Sequence, residues 1–245
     1  MEWSDEAIVL SVRPLGETST IVEGLTRNFG RHSGLVRGGV SRRLRGLLQP
    51  GNTLRVNWRA RLTEHLGSFT VEPHRTRAGD MMDTREALMG LNAFSGVASA
   101  VLPDREPHAT VFEAGEILLD AIAADSFAHW GPLFVRWETG VLEALGFGLD
   151  LSRCAATGST DDLRYVSPKT GRAVSATAGA PYRDRLLLLP GFLLGSQNAE
   201  PAPQEIAAGL RLTGFFLLDR VLRPHDRELP MARTRLTELA TRESA

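Results

Sequence analysis

The hydrophobic period changes once along this chain, near residue 80, and that change limits the folds open to it. Upstream, apolar residues alternate over short runs broken by Gly and Pro; downstream they recur at helical spacing. Residues 7–12, 18–26, 31–37, 53–61 and 68–72 read as strands. Turns fall at Pro14-Leu15-Gly16 and Asn28-Phe29-Gly30. Short strands separated in this way predict a small barrel or sandwich. In the run 53–61, Leu54, Val56, Trp58 and Ala60 alternate with Arg55, Asn57, Arg59 and Arg61. One face of that strand is apolar and the other basic. The stretch 38–51 combines Gly38, Gly39, several arginines and Pro50, and reads as a mobile basic loop.

The helical part begins with residues 84–101, ended by Leu102-Pro103. Residues 110–124 carry a capping box, with Thr110 as N-cap and Glu113 three residues on. In 132–145, Phe134, Trp137, Val141 and Leu145 share a face, and Gly146 is the expected C-cap. A further helix is expected over 203–222, stopped by Pro224, and a last one over 230–242. Gly, Thr and Ser dominate 150–185, where 163–174 has the pattern of a hairpin turning at Pro168-Lys169-Thr170-Gly171. The sequence thus predicts an α+β chain of two domains, 1–78 and 79–245.

Charge divides along the same line. The whole chain carries a net charge of −1, but residues 1–75 hold eleven Arg against seven acids. Between Glu23 and Glu64 there is no acid, yet nine Arg: Arg27, Arg31, Arg37, Arg42, Arg43, Arg45, Arg55, Arg59 and Arg61. A solvated face normally mixes signs. The run therefore points to a polyanion, with nucleic acid first and an acidic protein second. Lys169 is the only lysine. Codon usage in a GC-rich genome suffices to explain that bias, but arginine's planar fork still suits phosphate oxygens and base faces. Phe29, at a turn, is a candidate for base stacking, whereas Trp58 lies on the apolar face and reads as core.

Catalytic signatures are weak. Ser-Pro-Lys169-Thr-Gly lacks the upstream glycine spacing of a phosphate loop. Gly30-Arg-His-Ser-Gly34 has the wrong register for a nucleophile elbow, and His32–Ser33 reads as a surface strand pair. The six His are dispersed and never four residues apart. Cys154 is the only cysteine, which excludes an internal disulfide and suits a reducing compartment. Residues 1–5 lack the features of a signal peptide, and no apolar run approaches the ~20 residues of a membrane span. A non-enzymatic cytoplasmic protein is the expectation.

Several segments then resemble a known family. They are 13–20 (Arg-Pro-Leu-Gly-Glu-Thr-Ser-Thr), 25–31 (Leu-Thr-Arg-Asn-Phe-Gly-Arg), 36–40 (Val-Arg-Gly-Gly-Val) and 48–50 (Leu-Gln-Pro). Later come 136–138 (Arg-Trp-Glu), 145–148 (Leu-Gly-Phe-Gly) and 151–155 (Leu-Ser-Arg-Cys-Ala). In this order they resemble the RecO family of recombination mediators along nearly the whole chain. The resemblance implies an N-terminal OB-fold barrel and a mostly helical C-terminal domain. It implies binding and annealing of single- and double-stranded DNA, and partnership with RecR and with the acidic C-terminal tail of single-stranded DNA-binding protein, so that RecA is loaded. The best candidates for DNA contact are Arg31, Arg37, Arg42, Arg43, Arg45, Arg55, Arg59 and Arg61. Arg136 is the candidate for the partner tail, unless it serves to pair with Asp120 or Glu143.

Many relatives bind zinc through two C-x-x-C pairs in the central hairpin. Here the corresponding positions are Cys154, Thr157, Ser175 and Ala178, so 150–185 is expected to be a degenerate zinc-ribbon-like hairpin without metal. Two other readings of the chain remain open at this point: a general OB-fold protein for RNA or single-stranded DNA, and an adaptor for an acidic protein.

Overall fold

The computed structural model describes residues 1–62, 64–195 and 201–243. They form two compact units, Met1–Ala124 and Asp125–Ala245.

The first unit is built on five strands: β1 (Glu2–Leu15), β2 (Ser19–Thr26), β3 (Gly30–Val36), β4 (Thr53–Arg59) and β5 (Ser68–Arg75). They close into a barrel of order β1-β2-β3-β5-β4. The expected strand 7–12 is the middle of a much longer one. Its first half pairs with β4, from Glu2↔Arg59 to Ile8↔Thr53, and its second half with β2. A register shift between Val9 and Ser11 marks the bend that lets one strand serve two neighbours. The β3–β5 seam is thin: its parallel register rests on Leu35↔Ser68, with Leu35 N–H donating to Gly67 O at 3.0 Å.

Ala7, Val9, Val22, Val36, Leu48, Leu54, Val56, Trp58 and Phe69 fill the barrel core. Residues 7–10 are buried throughout, because β1 has the barrel core on one side and a helix packed on its other. That explains an unbroken apolar run where alternation would mark a one-sided strand.

Residues 42–47 are not a loop but a short helix, α1 (Arg42–Leu47). Leu44 and Leu47 pack against the barrel core, while Arg42, Arg43 and Arg45 stay exposed. Then follow α2 (Ala78–Met81), α3 (Arg85–Val101) and α4 (Ala109–Ala124). Thr84 caps α3 by accepting from Ala87 N–H at 3.1 Å. The capping box expected at Thr110 is absent. The helix begins at Ala109, the Phe112 N–H already bonds to His108 O at 3.0 Å, and Glu113 instead faces Arg27.

The second unit contains α5 (Phe127–Ala144), a small sheet, α7 (Pro203–Phe216) and α8 (Met231–Glu243). Helix α5 starts five residues before the expected Pro132, which lies inside it, with Ser126 at the N-cap position. Phe127 and Trp130 are buried, so aromatic burial holds the turn that leads into the proline. Gly146 has φ 83° and ends the helix as expected, with Phe147 N–H bonding to Leu142 O at 2.7 Å. The expected hairpin is β6 (Leu163–Val166) with β7 (Ala173–Ser175), and a third strand, β8 (Leu187–Leu188), lies on the other side of β6. One turn, α6 (Ala176–Gly179), follows β7. Helix α7 passes into a π-helical stretch, Leu217–Leu222, before Pro224.

Candidate nucleic-acid interface

Strand β4 turns Leu54, Val56 and Trp58 inward and Arg55 and Arg59 outward, as its alternation requires. Arg61, just past its end, is exposed too. The outward face is not uniformly basic, however. Strand pairing sets Arg55 between Glu6 and Glu72, and Arg59 between Glu2 and Ser68. Arg55 borders a hollow of about 660 Å³ that Asp5, Glu6, Arg27 and Glu72 also line. The stretch that is free of acids in sequence has acids beside it in space.

The longer basic element is the connection between β3 and β4. Arg37, Arg42, Arg43 and Arg45 are all exposed there. Among the described residues none of the four has a carboxylate within ion-pairing distance. The amphipathic α1 holds three of them outward by sinking its leucines. Asn52, buried at 2% exposure, ties the helix down. Its side-chain amide donates to Gly46 O at 3.3 Å and Leu47 O at 3.0 Å. Its oxygen accepts from the N–H groups of Arg77 at 2.9 Å and Ala78 at 3.0 Å. One side chain therefore closes the end of α1 and opens α2. No spacing in the sequence singles it out; the only local cue is an Asn that follows Pro50-Gly51.

Arg31 belongs to a different arrangement. It pairs with Glu23 and with Asp104 (2.7 Å), and donates to Leu102 O at 3.0 Å. Glu23 also accepts from Ser11 and Ser99. Two carboxylates and a carbonyl engage the guanidinium, which fixes the barrel to the segment after α3. Arg27 is likewise engaged, by Glu6 at 3.5 Å and Glu113 at 3.1 Å, above the Phe112 ring. Arg77, not singled out in the sequence, is 5% exposed and pairs with Glu116 (3.0 Å) and Asp120 (3.1 Å). Burial pulls its pKa down, and those two carboxylates counteract the shift.

The aromatic residues assemble into one group. Phe29 stacks on Trp3 at 4.2 Å and 10°, and Trp3 stacks on Trp58 at 5.5 Å. Trp58 is core, as its face predicted, and its indole N–H donates to Leu66 O at 3.0 Å. Phe29 has one face committed to Trp3. His32 is buried rather than on the surface, edge-on to Trp58 at 4.8 Å, and burial lowers its pKa.

In the second unit Arg136 is exposed, donates to Phe192 O at 3.0 Å and lies over the Phe192 ring at 5.8 Å. Around Cys154 the donor set does not fit zinc. Thr157 and Ser175 bring hydroxyls that hydrogen-bond to the sulfur, and the Ser175 N–H donates to it at 3.3 Å. Burial by itself would raise the Cys154 pKa. The hydrogen bonds from the Ser175 and Thr157 side chains and from the Ser175 and Ala156 backbones outweigh it and bring it to about 6.

Among the described residues no helix is long and apolar enough to cross a membrane. The family model for the recombination protein O N terminal matches residues 1–77, and that for the recombination protein O C terminal matches 82–229. The chain is 50% identical over 248 residues to the DNA repair protein RecO of Rhodospirillum rubrum, covering all of this chain and 98% of that one. It is 52% identical over 240 residues to that of Rhizobium etli, covering 98% and 93%. With the RecO of Cereibacter sphaeroides the identity is 50% over 244 residues, covering 99% and 100%. Two family models in tandem and relatives matched from end to end agree, and the chain belongs to the RecO family of DNA repair proteins.

Proposed function

We propose that this protein is a non-enzymatic recombination mediator that binds and anneals DNA through its N-terminal domain, residues 1–78, whose closed five-stranded barrel is of the OB type. The observation that carries the reading is the row of exposed arginines Arg37, Arg42, Arg43 and Arg45, none of which has a carboxylate partner among the described residues. Such a row grips phosphates without reading sequence, which is what an annealing protein needs. Arg55, Arg59 and Arg61 extend it more weakly, because acids flank the first two. Arg31 is a structural residue in this reading.

The partners proposed are RecR and the acidic, apolar-ended tail of single-stranded DNA-binding protein, with RecA loading as the outcome and the cytoplasm as the compartment. In the second unit Arg136 over Phe192, with exposed Leu194 close by in sequence, offers a cation beside apolar surface for that tail. Calorimetric titration with the tail peptide tests this part: Arg136→Ala should weaken binding, and equal binding removes Arg136 from the site.

The main test is DNA binding and strand annealing against salt, with and without the coating protein. Log affinity should fall linearly with log salt, with a slope of several units. A preference for RNA would make this a general OB-fold binder. A salt-insensitive protein complex without DNA affinity would make it an adaptor.

A further inference from the structure

The basic connection encloses a pocket. Val12 and Pro14 of β1, Thr20 of β2, Val40, Leu48 and Pro50 surround about 450 Å³ of space, with Arg45 and Gln49 also on its lining. That volume lies within the ~300–1,000 Å³ of small-molecule sites. Its walls are mostly apolar, and Val40 is 41% exposed. The unpaired guanidiniums of Arg42, Arg43 and Arg45 are carried by the same connection. An apolar slot among cations suits a ligand with a flat apolar face and an attached anion.

Two polar groups narrow the choice. Thr20 Oγ1 is buried and has no hydrogen-bond partner. The Gln49 side-chain N–H donates to Arg45 O at 2.8 Å, which leaves its amide oxygen at the pocket lining to accept from a ligand. A purely apolar anchor would leave the Thr20 hydroxyl unpaired, whereas the edge of a nucleobase carries donors and acceptors for it and for Gln49. Gly39 lies over the Thr20 hydroxyl, so that a Cβ there would stand 2.1 Å from it. The turn is joined to the barrel by a long Val40 N–H to Thr18 O bond of 3.5 Å. With Gly39 over it, the hydroxyl can reach a ligand only once Gly38-Gly39 lifts.

We propose that this pocket takes one unpaired nucleobase from a strand whose phosphates lie on Arg42, Arg43 and Arg45. The proposal rests on the DNA-binding reading and deepens it: it gives the N-terminal domain a contact with an unpaired base on top of its grip on phosphates. Paired bases stay stacked in the duplex, while an unpaired base is free to turn into the slot.

The experiment compares three probes by fluorescence anisotropy at fixed salt: a thymidine oligomer, an abasic oligomer with equal phosphates, and a duplex of the same length. The full chain should bind the thymidine oligomer about five-fold or more tightly than the abasic one. Val40→Ser and Thr20→Val should bring that ratio to one with abasic affinity unchanged. Val40 is exposed and the Thr20 hydroxyl bonds to nothing, so both variants should fold. Equal wild-type affinity for both oligomers, with binding intact, overturns the pocket and leaves the phosphate grip standing. So does competition from an acidic, aromatic-ended peptide that Val40→Ser abolishes while that ratio is already one, for the pocket then serves a protein. Binding to none of the three probes overturns the DNA reading and the pocket together.

Discussion

Arg233 on α8 and Glu138 on α5 form a bidentate ion pair, Nε–Oε1 2.5 Å and Nη2–Oε2 2.8 Å, with both residues fully buried. Thr213 donates to the same carboxylate, and Leu210 O accepts from the guanidinium, so α7 is tied in as well. Removing one partner strands the other charge. Arg233→Met should lose about 3–5 kcal/mol, and the double variant Arg233→Met/Glu138→Leu should recover much of it. Urea unfolding followed by circular dichroism decides this; a double variant as unstable as the single would contradict it.

The arginines should separate by salt dependence. Changing Arg42, Arg43 and Arg45 to Ala together should lower the log–log salt slope by about one unit per lost phosphate contact. Arg55→Ala/Arg59→Ala should lower it less, since Glu6, Glu72 and Glu2 already stand beside those residues. Arg31→Ala should leave the slope alone and reduce stability. If Arg31 moved the slope as much as the triple variant, the division between gripping and structural arginines would fall.

Asn52→Ala should destabilise by about 1–3 kcal/mol, because it orphans two carbonyls and two N–H groups at once. The effect should be local. Amide exchange should speed up at Arg77 and Ala78 ahead of the barrel strands. Uniform acceleration would show that Asn52 supports the whole unit instead.

Cys154 predicts a pH dependence. Its folded pKa is lowered to about 6, whereas an unfolded thiol titrates near ~8.5. The folded state therefore releases the proton first. The stabilisation is fully present above about pH 8.5 and is lost as pH falls through 6. The stability of the wild type relative to Cys154→Ala should rise between those values in urea titrations at several pH values. A flat or falling difference would mean that the thiol stays protonated.

The strands were legible wherever one face is buried, and β4 was read from its alternation to within two residues. Its lateral neighbours were not, because nothing in residues 53–61 says that Glu6 and Glu72 will flank Arg55. Register is set by pairing across the sheet. The ion pairing of Arg31 was hidden for the same reason: its partner Asp104 is distant in sequence. Helix α1 was hidden because six residues are too few to hold a helix by themselves, and its leucines become helical only against the barrel core. Pro132 misled in the opposite direction. Proline usually marks a helix start, and here buried Phe127 and Trp130 carry the helix through it.

Strand β1 has its own consequence for how the protein is made. Residues 2–8 find their partners at 53–59, so this segment is synthesised well before one of the last strands of its barrel. The hairpin with β2 and β3 can form early, because its contacts are local. The leading half of β1 must then hang from that hairpin as an unpaired edge until β4 emerges. During synthesis residues 2–6, which pair with β4 and not with β2, are the part of the nascent chain most open to wrong pairing. Glu2, Asp5 and Glu6, which dilute the basic face of the finished barrel, are the charges that guard it in that interval.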